Sequence, residues 1–178
     1  MKALMIIDMQ QEMQRRIDAG RDCVNPDAAV RIAALAAAFR KVGLPVLHVR
    51  HRSDDPAAPL HPDAAGYPAM AGAEALDHEP VFIKTTSSAF ASTGLSDHLR
   101  AQGITHLIVT GAVAGFCVNS TVRSGSDLGF QMTVVRDAVI GFDLPGKQQT
   151  AKTIFDVTMA HLEADFARIL DSADVLQA

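Results

Sequence analysis

The sequence predicts a Rossmann-like α/β/α sandwich: three layers, with a mostly parallel sheet of about six strands in the middle. Short apolar runs such as ALMIID, LPVLHVR and THLIVTG recur along the chain with the length of strands buried on both faces. Between them lie segments with helical periodicity and their own start and stop residues. Strands alternating with helices in this way indicate crossover units and a parallel sheet. No internal repeat, low-complexity tract or linker divides residues 1–178, which read as one domain.

ALMIID is the first strand, closed by Asp8. NPDAAVRIAALAAAFRKVG reads as a helix with Asn25 as its N-cap, Pro26 in its first turn and Gly43 as its stop. LPVLHVR follows as the second strand. From Ser53 to Pro80 five prolines, with scattered glycine, histidine and acid, mark a long irregular excursion, which in a compact domain usually carries function. PVFIKT resumes the strand pattern, and STGLSDHLRAQG reads as a helix with a serine or threonine cap. THLIVTG is the next strand, and GAVAGFCVNSTVR opens a helix running to Gly129. FQMTVVRD, a long amphipathic helix in GKQQTAKTIFDVTMAHLEADF, and a short final strand ARILDS complete the series. The stripe Ile154, Val157, His161 and Leu162 in that last helix reads as core or subunit contact.

The composition, 48% hydrophobic and 20% charged, is that of an ordinary globular core. A net charge of −4 offers no positive field for a phosphate backbone, so nucleic acid is an unpromising partner. No run approaches the ~20 apolar residues of a membrane span, and Asp8 interrupts the N-terminal apolar run before it reaches the length of a secretion signal. Two cysteines make no disulfide framework and fit a reducing, cytoplasmic setting. Cys23 has no visible partner and reads as incidental.

In parallel sheets ligands bind beyond the carboxyl ends of the strands. Asp8 and Lys84 each close a strand, and Cys117 lies on the turn leaving another, so the three converge on one crevice. A thiol near a helix N-terminus and a cation is expected to fall below its usual pKa of roughly 8.5. An aspartate within reach can take the thiol proton and return it to a leaving amine. The small residues Gly111 to Gly115 leave backbone N–H groups open for the oxyanion that forms on attack at a carbonyl.

LMIIDMQ, VFIKTTSSAF and VTGAVAGFCVNSTVRSGSDLGFQMTVVRDAV, in that order, resemble the isochorismatase-like cysteine hydrolases, which include nicotinamidases and N-carbamoylsarcosine amidase. The resemblance implies that family's fold and an Asp-Lys-Cys triad at Asp8, Lys84 and Cys117. It further implies a cis peptide between Ala112 and Val113, and an oxyanion hole made by the N–H groups of Val113 and Cys117. Phe90 and Phe116 are candidate substrate contacts, with Tyr67 a weaker one. A homo-oligomer, dimer or tetramer, is implied as well.

The sequence departs from relatives at Ala114 and Gly115, where many carry threonine and an acid. HVRHRSDD also lacks the Asp-x-His metal motif of nicotinamidases. His48 and His51, three apart on a strand or its end, turn toward opposite faces, and His51, His61 and His78 match no zinc spacing. No metal or other cofactor is therefore expected. The reading that follows is a cysteine hydrolase cleaving a C–N bond of a small amide or carbamoyl compound through a thioester. Two alternatives stand beside it: enol-ether hydrolysis of an isochorismate-like substrate, and a non-catalytic small-molecule binding module. For the latter, no G-x-G-x-x-G follows the first strand to suggest a dinucleotide.

Overall fold

The computed structural model describes residues 1–177. Strands β1 (Lys2–Ile7), β3 (Val46–His51), β4 (Val81–Lys84), β5 (His106–Ala112), β6 (Gln131–Phe142) and β7 (Arg168–Leu170) are the six expected from the sequence. A seventh, β2 (Cys23–Val24), adds two residues antiparallel to the end of β6. The order is β2-β6-β5-β1-β3-β4, with β7 also on β6, and every pairing except that of β2 is parallel.

Alternation along β1 divides the core between two layers. Ala3, Met5 and Ile7 face Leu95 and Leu99 of α3 (Leu95–Ala101), Val122 of α4 (Asn119–Asp127) and Phe155, Met159 and Leu162 of α5 (Ala151–Asp165). Leu4 and Ile6 face Met13 of α1 (Gln11–Asp18), Ile32, Leu35 and Phe39 of α2 (Ala28–Lys41) and Val175 of α6 (Ser172–Gln177). Within the stripe read on α5, Leu162 is core, whereas Val157 is 52% exposed.

Several local expectations are corrected. Asn25 does not cap α2, whose N-cap is Asp27. It adopts a left-handed φ of 56° and donates its amide to the carbonyls of Arg136 and Val139 on β6, a tertiary use that pre-empts capping. The helix expected from GAVAGFCV onward begins as one π-turn, Ala114–Val118, before α4. For α3 the hydroxyl role falls to Thr93, whose Oγ1 accepts from Leu95 N and donates to Ala89 O.

The long excursion is held down at both ends. Buried Gln10, just before α1, donates its side-chain amide to the carbonyls of His51 and Tyr67 and accepts from His51 N. Near the other end, Glu79 is buried beneath Arg40 of α2. The guanidinium makes two bonds to its carboxylate, at 2.7 and 2.8 Å, and Leu76 N and His48 Nε2 complete the set.

Burial alone would raise the Glu79 pKa, but the bonds from Arg40, Leu76 N and His48 outweigh it and hold the group at about 2, against an ordinary 4.5. A depressed carboxylate stabilises the fold above its unfolded pKa and loses that contribution as pH falls through the folded one. Glu79→Gln is therefore expected to lower stability by about 2–3 kcal/mol at neutral pH. The deficit should shrink as pH drops from 4.5 toward about 2, readable by urea melts across that range. A pH-independent deficit would count against the ion pair as its cause.

Candidate active site

The chain leaves β1 for β3 and β4 on one side, then returns to β5 on the other, so the carboxyl end of β1 lies at a switch in strand order. Asp8 follows β1 directly, with a left-handed φ of 50° that few non-glycine residues adopt. His51 ends β3 and Lys84 ends β4, and the parallel register places these two opposite each other. Across β1, Ile7 pairs with Gly111 of β5. At Gly111 φ is +120°, and a Cβ would lie 2.0 Å from Ile7 O, so only glycine lets the strands approach this closely. Beyond it the Ala112–Val113 peptide is cis, and the π-turn that follows carries Cys117.

These four side chains meet. Lys84, with no solvent exposure, places Nζ 2.7 Å from Asp8 Oδ2, 3.0 Å from His51 Nδ1, 3.1 Å from Thr86 O and 3.2 Å from Cys117 Sγ. Four acceptors thus surround an ammonium that has three protons to give. The second oxygen of Asp8, Oδ1, is buried and has no hydrogen-bond partner.

Donor atoms of Asp8, His51 and Cys117 lie within 4.8 Å of one another, a set that in isolation suits a metal ion. Here the positive charge that they surround is the Lys84 ammonium, bonded to all three. A cation among them would compete with this buried ammonium for the same donors.

Burial, and then the Asp8 carboxylate, push the Cys117 thiol up to about 12, against the pull of Lys84. This reverses the expectation of a lowered pKa: the helix turn and the cation are present, but desolvation and the neighbouring anion outweigh them. Asp8 is raised as well, chiefly by burial, with Lys84, the Cys117 thiol and His51 opposing. His51 is lowered by burial and by Lys84, which keeps it a neutral acceptor. At neutral pH the sulfur is therefore a thiol, with a carboxylate oxygen of Asp8 within 4.8 Å of it.

Val113 O accepts from the N–H groups of Phe116 and Val118. Asp8, Met13, Arg16, His51, Leu60, Ser87, Ala112, Val113, Phe116 and Cys117 line a cavity of about 220 Å³. Phe116 stands at it, 52% exposed. Phe90 does not line it. Its ring stacks on Phe130 at 5.6 Å, against the first core layer. Tyr67 is also absent from the wall and lies under Arg50. The long excursion contributes Leu60 only. At Gly115 a Cβ would lie 3.1 Å from Ile154 Cγ2 of α5, which leaves little room for the acidic side chain of relatives.

An isochorismatase domain family model matches residues 2–174. The chain belongs to the isochorismatase family. Among isochorismatase-family relatives, protein YrdC of Bacillus subtilis is 30% identical over 178 residues, covering 98% of this chain and 94% of its own. A solved isochorismatase-family structure from Chromobacterium violaceum is 33% identical with a TM-score of 0.93, over 99% of this chain and 92% of that one. A segment of 55 residues is 46% identical to the ureidoacrylate amidohydrolase RutB of Caulobacter vibrioides, covering 31% of this chain and 24% of RutB. The isochorismatase-family fold, a mostly parallel open sheet with helices packed around it, is thus the one the sequence indicated. No helix among the described residues is long and apolar enough to cross a membrane.

Proposed function

We propose that this isochorismatase-family chain, acting as one domain over residues 1–178, hydrolyses a C–N bond of a small amide or carbamoyl compound through a thioester on Cys117. The observation that carries this reading is the meeting of carboxylate, ammonium and sulfur in one cluster: Lys84 Nζ lies 2.7 Å from Asp8 Oδ2 and 3.2 Å from Cys117 Sγ, while Asp8 Oδ1 is buried without a hydrogen-bond partner. A carboxylate with one oxygen tied and one free is oriented to accept a proton. The likeness of a 55-residue segment to RutB, a ureidoacrylate amidohydrolase, supports the choice of bond.

As Sγ attacks the substrate carbonyl carbon, the thiol proton passes to Asp8 Oδ1. The N–H groups of Val113 and Cys117 receive the oxyanion. Collapse breaks the C–N bond, and the amine leaves with the proton from Asp8, whose raised pKa suits it to act as an acid. Water then attacks the thioester, giving one proton to Asp8 and forming the second tetrahedral species. Its collapse releases the acid, and Asp8 returns the proton to sulfur. Lys84 holds Asp8 and adds positive potential at the sulfur throughout; His51 and Thr86 O orient its ammonium. No metal or other cofactor enters the scheme.

We also read the protein as cytoplasmic, from its free cysteines, and as a homo-oligomer, for which exposed apolar side chains such as Phe116 and Val157 are available contacts. A panel of small amides, ureides and carbamates, nicotinamide included, is expected to contain a compound from which the protein releases ammonia or amine. Acid quenching during turnover should leave the Cys117 peptide heavier by the acyl group. Amine release that persists after complete alkylation of Cys117 with iodoacetamide would overturn the proposal.

A further inference from the structure

Apart from Asp8, whose charge Lys84 meets at 2.7 Å, the cavity wall carries one fully charged group, Arg16 of α1. Its Nε donates to Glu12 Oε1 at 2.9 Å, one turn back on the helix. The guanidinium carbon lies 5.8 Å from the ring centre of Phe142, which braces it from behind. Neither Nη has an acceptor among the described residues, and the side chain is 30% exposed.

Glu12 is not part of the wall. It is shared with Arg15, at 3.7 Å, so one carboxylate serves two cations and leaves this corner net positive. The neighbouring Arg21 is spent on Asp143, through Nε to Oδ1 and Nη2 to the carbonyl. The remaining wall is apolar or uncharged: Met13, Leu60, Ser87, Phe116 and the Ala112–Val113 backbone. A braced guanidinium whose two Nη groups are free, lining the same small cavity as a nucleophile, is built to take a planar anion in two parallel bonds.

From this placement we infer that Arg16 selects substrates carrying a carboxylate away from the scissile carbonyl. The inference rests on the hydrolytic reading above, and it narrows the substrate class to small anionic amides or carbamoyl compounds. The cavity, about 220 Å³, is smaller than those that take drug-sized ligands, which begin near 300 Å³, so few atoms can separate the two ends.

The test needs no knowledge of the substrate. Iodoacetate and iodoacetamide deliver the same carbon to a thiol and differ in a carboxylate against a carboxamide. Their rates of alkylation at Cys117, followed on its own peptide by mass spectrometry, give a ratio from which any change in thiol ionisation cancels. Loss of a charge-assisted pair corresponds to about 10- to 100-fold. The iodoacetate-to-iodoacetamide ratio is accordingly expected to fall about tenfold or more in Arg16→Gln, to fall further in Arg16→Glu and to recover in part in Arg16→Lys. Cys23, in the same chain and outside the cavity, serves as the internal reference. Equal ratios in the wild type, Arg16→Gln and Arg16→Glu would overturn the inference.

A second arm compares kcat/KM for matched carboxylate-bearing and neutral amides, with the same expected change in preference. Ratios that shift while no amide is ever cleaved would keep the anion site and remove the amidase reading. Cleavage that depends on Cys117 but ignores Arg16 would do the reverse.

Discussion

Cys117→Ala is expected to lower turnover by at least about 10⁴-fold, the scale on which loss of one member of a nucleophile–base unit is felt. Stability should change by no more than about 1 kcal/mol, the worth of one ordinary hydrogen bond. The small stability effect follows from the count around Lys84. Sulfur is the longest of four contacts to an ammonium with three protons, so Asp8 Oδ2, His51 Nδ1 and Thr86 O suffice once it is gone. Turnover and a urea melt on the same preparation check both halves. A variant as active as the wild type would remove the thioester from the scheme. One that is inactive and unfolded would show that the sulfur holds the site together.

Lys84→Met should abolish turnover and also cost stability, by about 3–5 kcal/mol, because it leaves the Asp8 carboxylate buried without its counter-charge. Methionine fills nearly the same volume, so the loss is electrostatic rather than a cavity. Pairing it with Asp8→Asn provides the control: the double variant should be more stable than Lys84→Met alone, since no uncompensated charge remains. Additive losses would mean that the two side chains act independently. The pH profile belongs to the same experiment. Asp8 works as a base only when ionised and its pKa is raised, so kcat/KM should begin to fall on the acid side above the ordinary aspartate value of 3.8.

Asp8, Lys84 and Cys117 are legible as a group because the first two lie where apolar strands end and the third on the turn leaving another, and a parallel sheet brings such ends to one edge. His51 reads in the sequence only as a histidine at the end of a strand closing with LPVLHVR, its spacing matching no zinc site. The strand runs one residue further, where register sets it against Lys84. Helix α1 was passed over because QEMQRRID buries only Met13 and no capping side chain announces it, and with it went Arg16. Phe90 and Asn25 were misassigned for a shared reason. What each does depends on a partner far along the chain, Phe130 for one and the β6 carbonyls for the other. The direction of the thiol pKa failed similarly: helix and cation can be read locally, whereas desolvation beside Asp8 exists only after folding.

The place of β1 in the sheet also bears on synthesis at the ribosome. Once β1 has emerged, β3 follows as one neighbour, but its other neighbour, β5, begins only at His106. At translation rates of about 5–20 residues per second, the nascent chain carries an apolar strand with one open edge for several seconds. Such an edge invites pairing with other chains, so the half-made protein is at its most aggregation-prone before β5 is threaded into place.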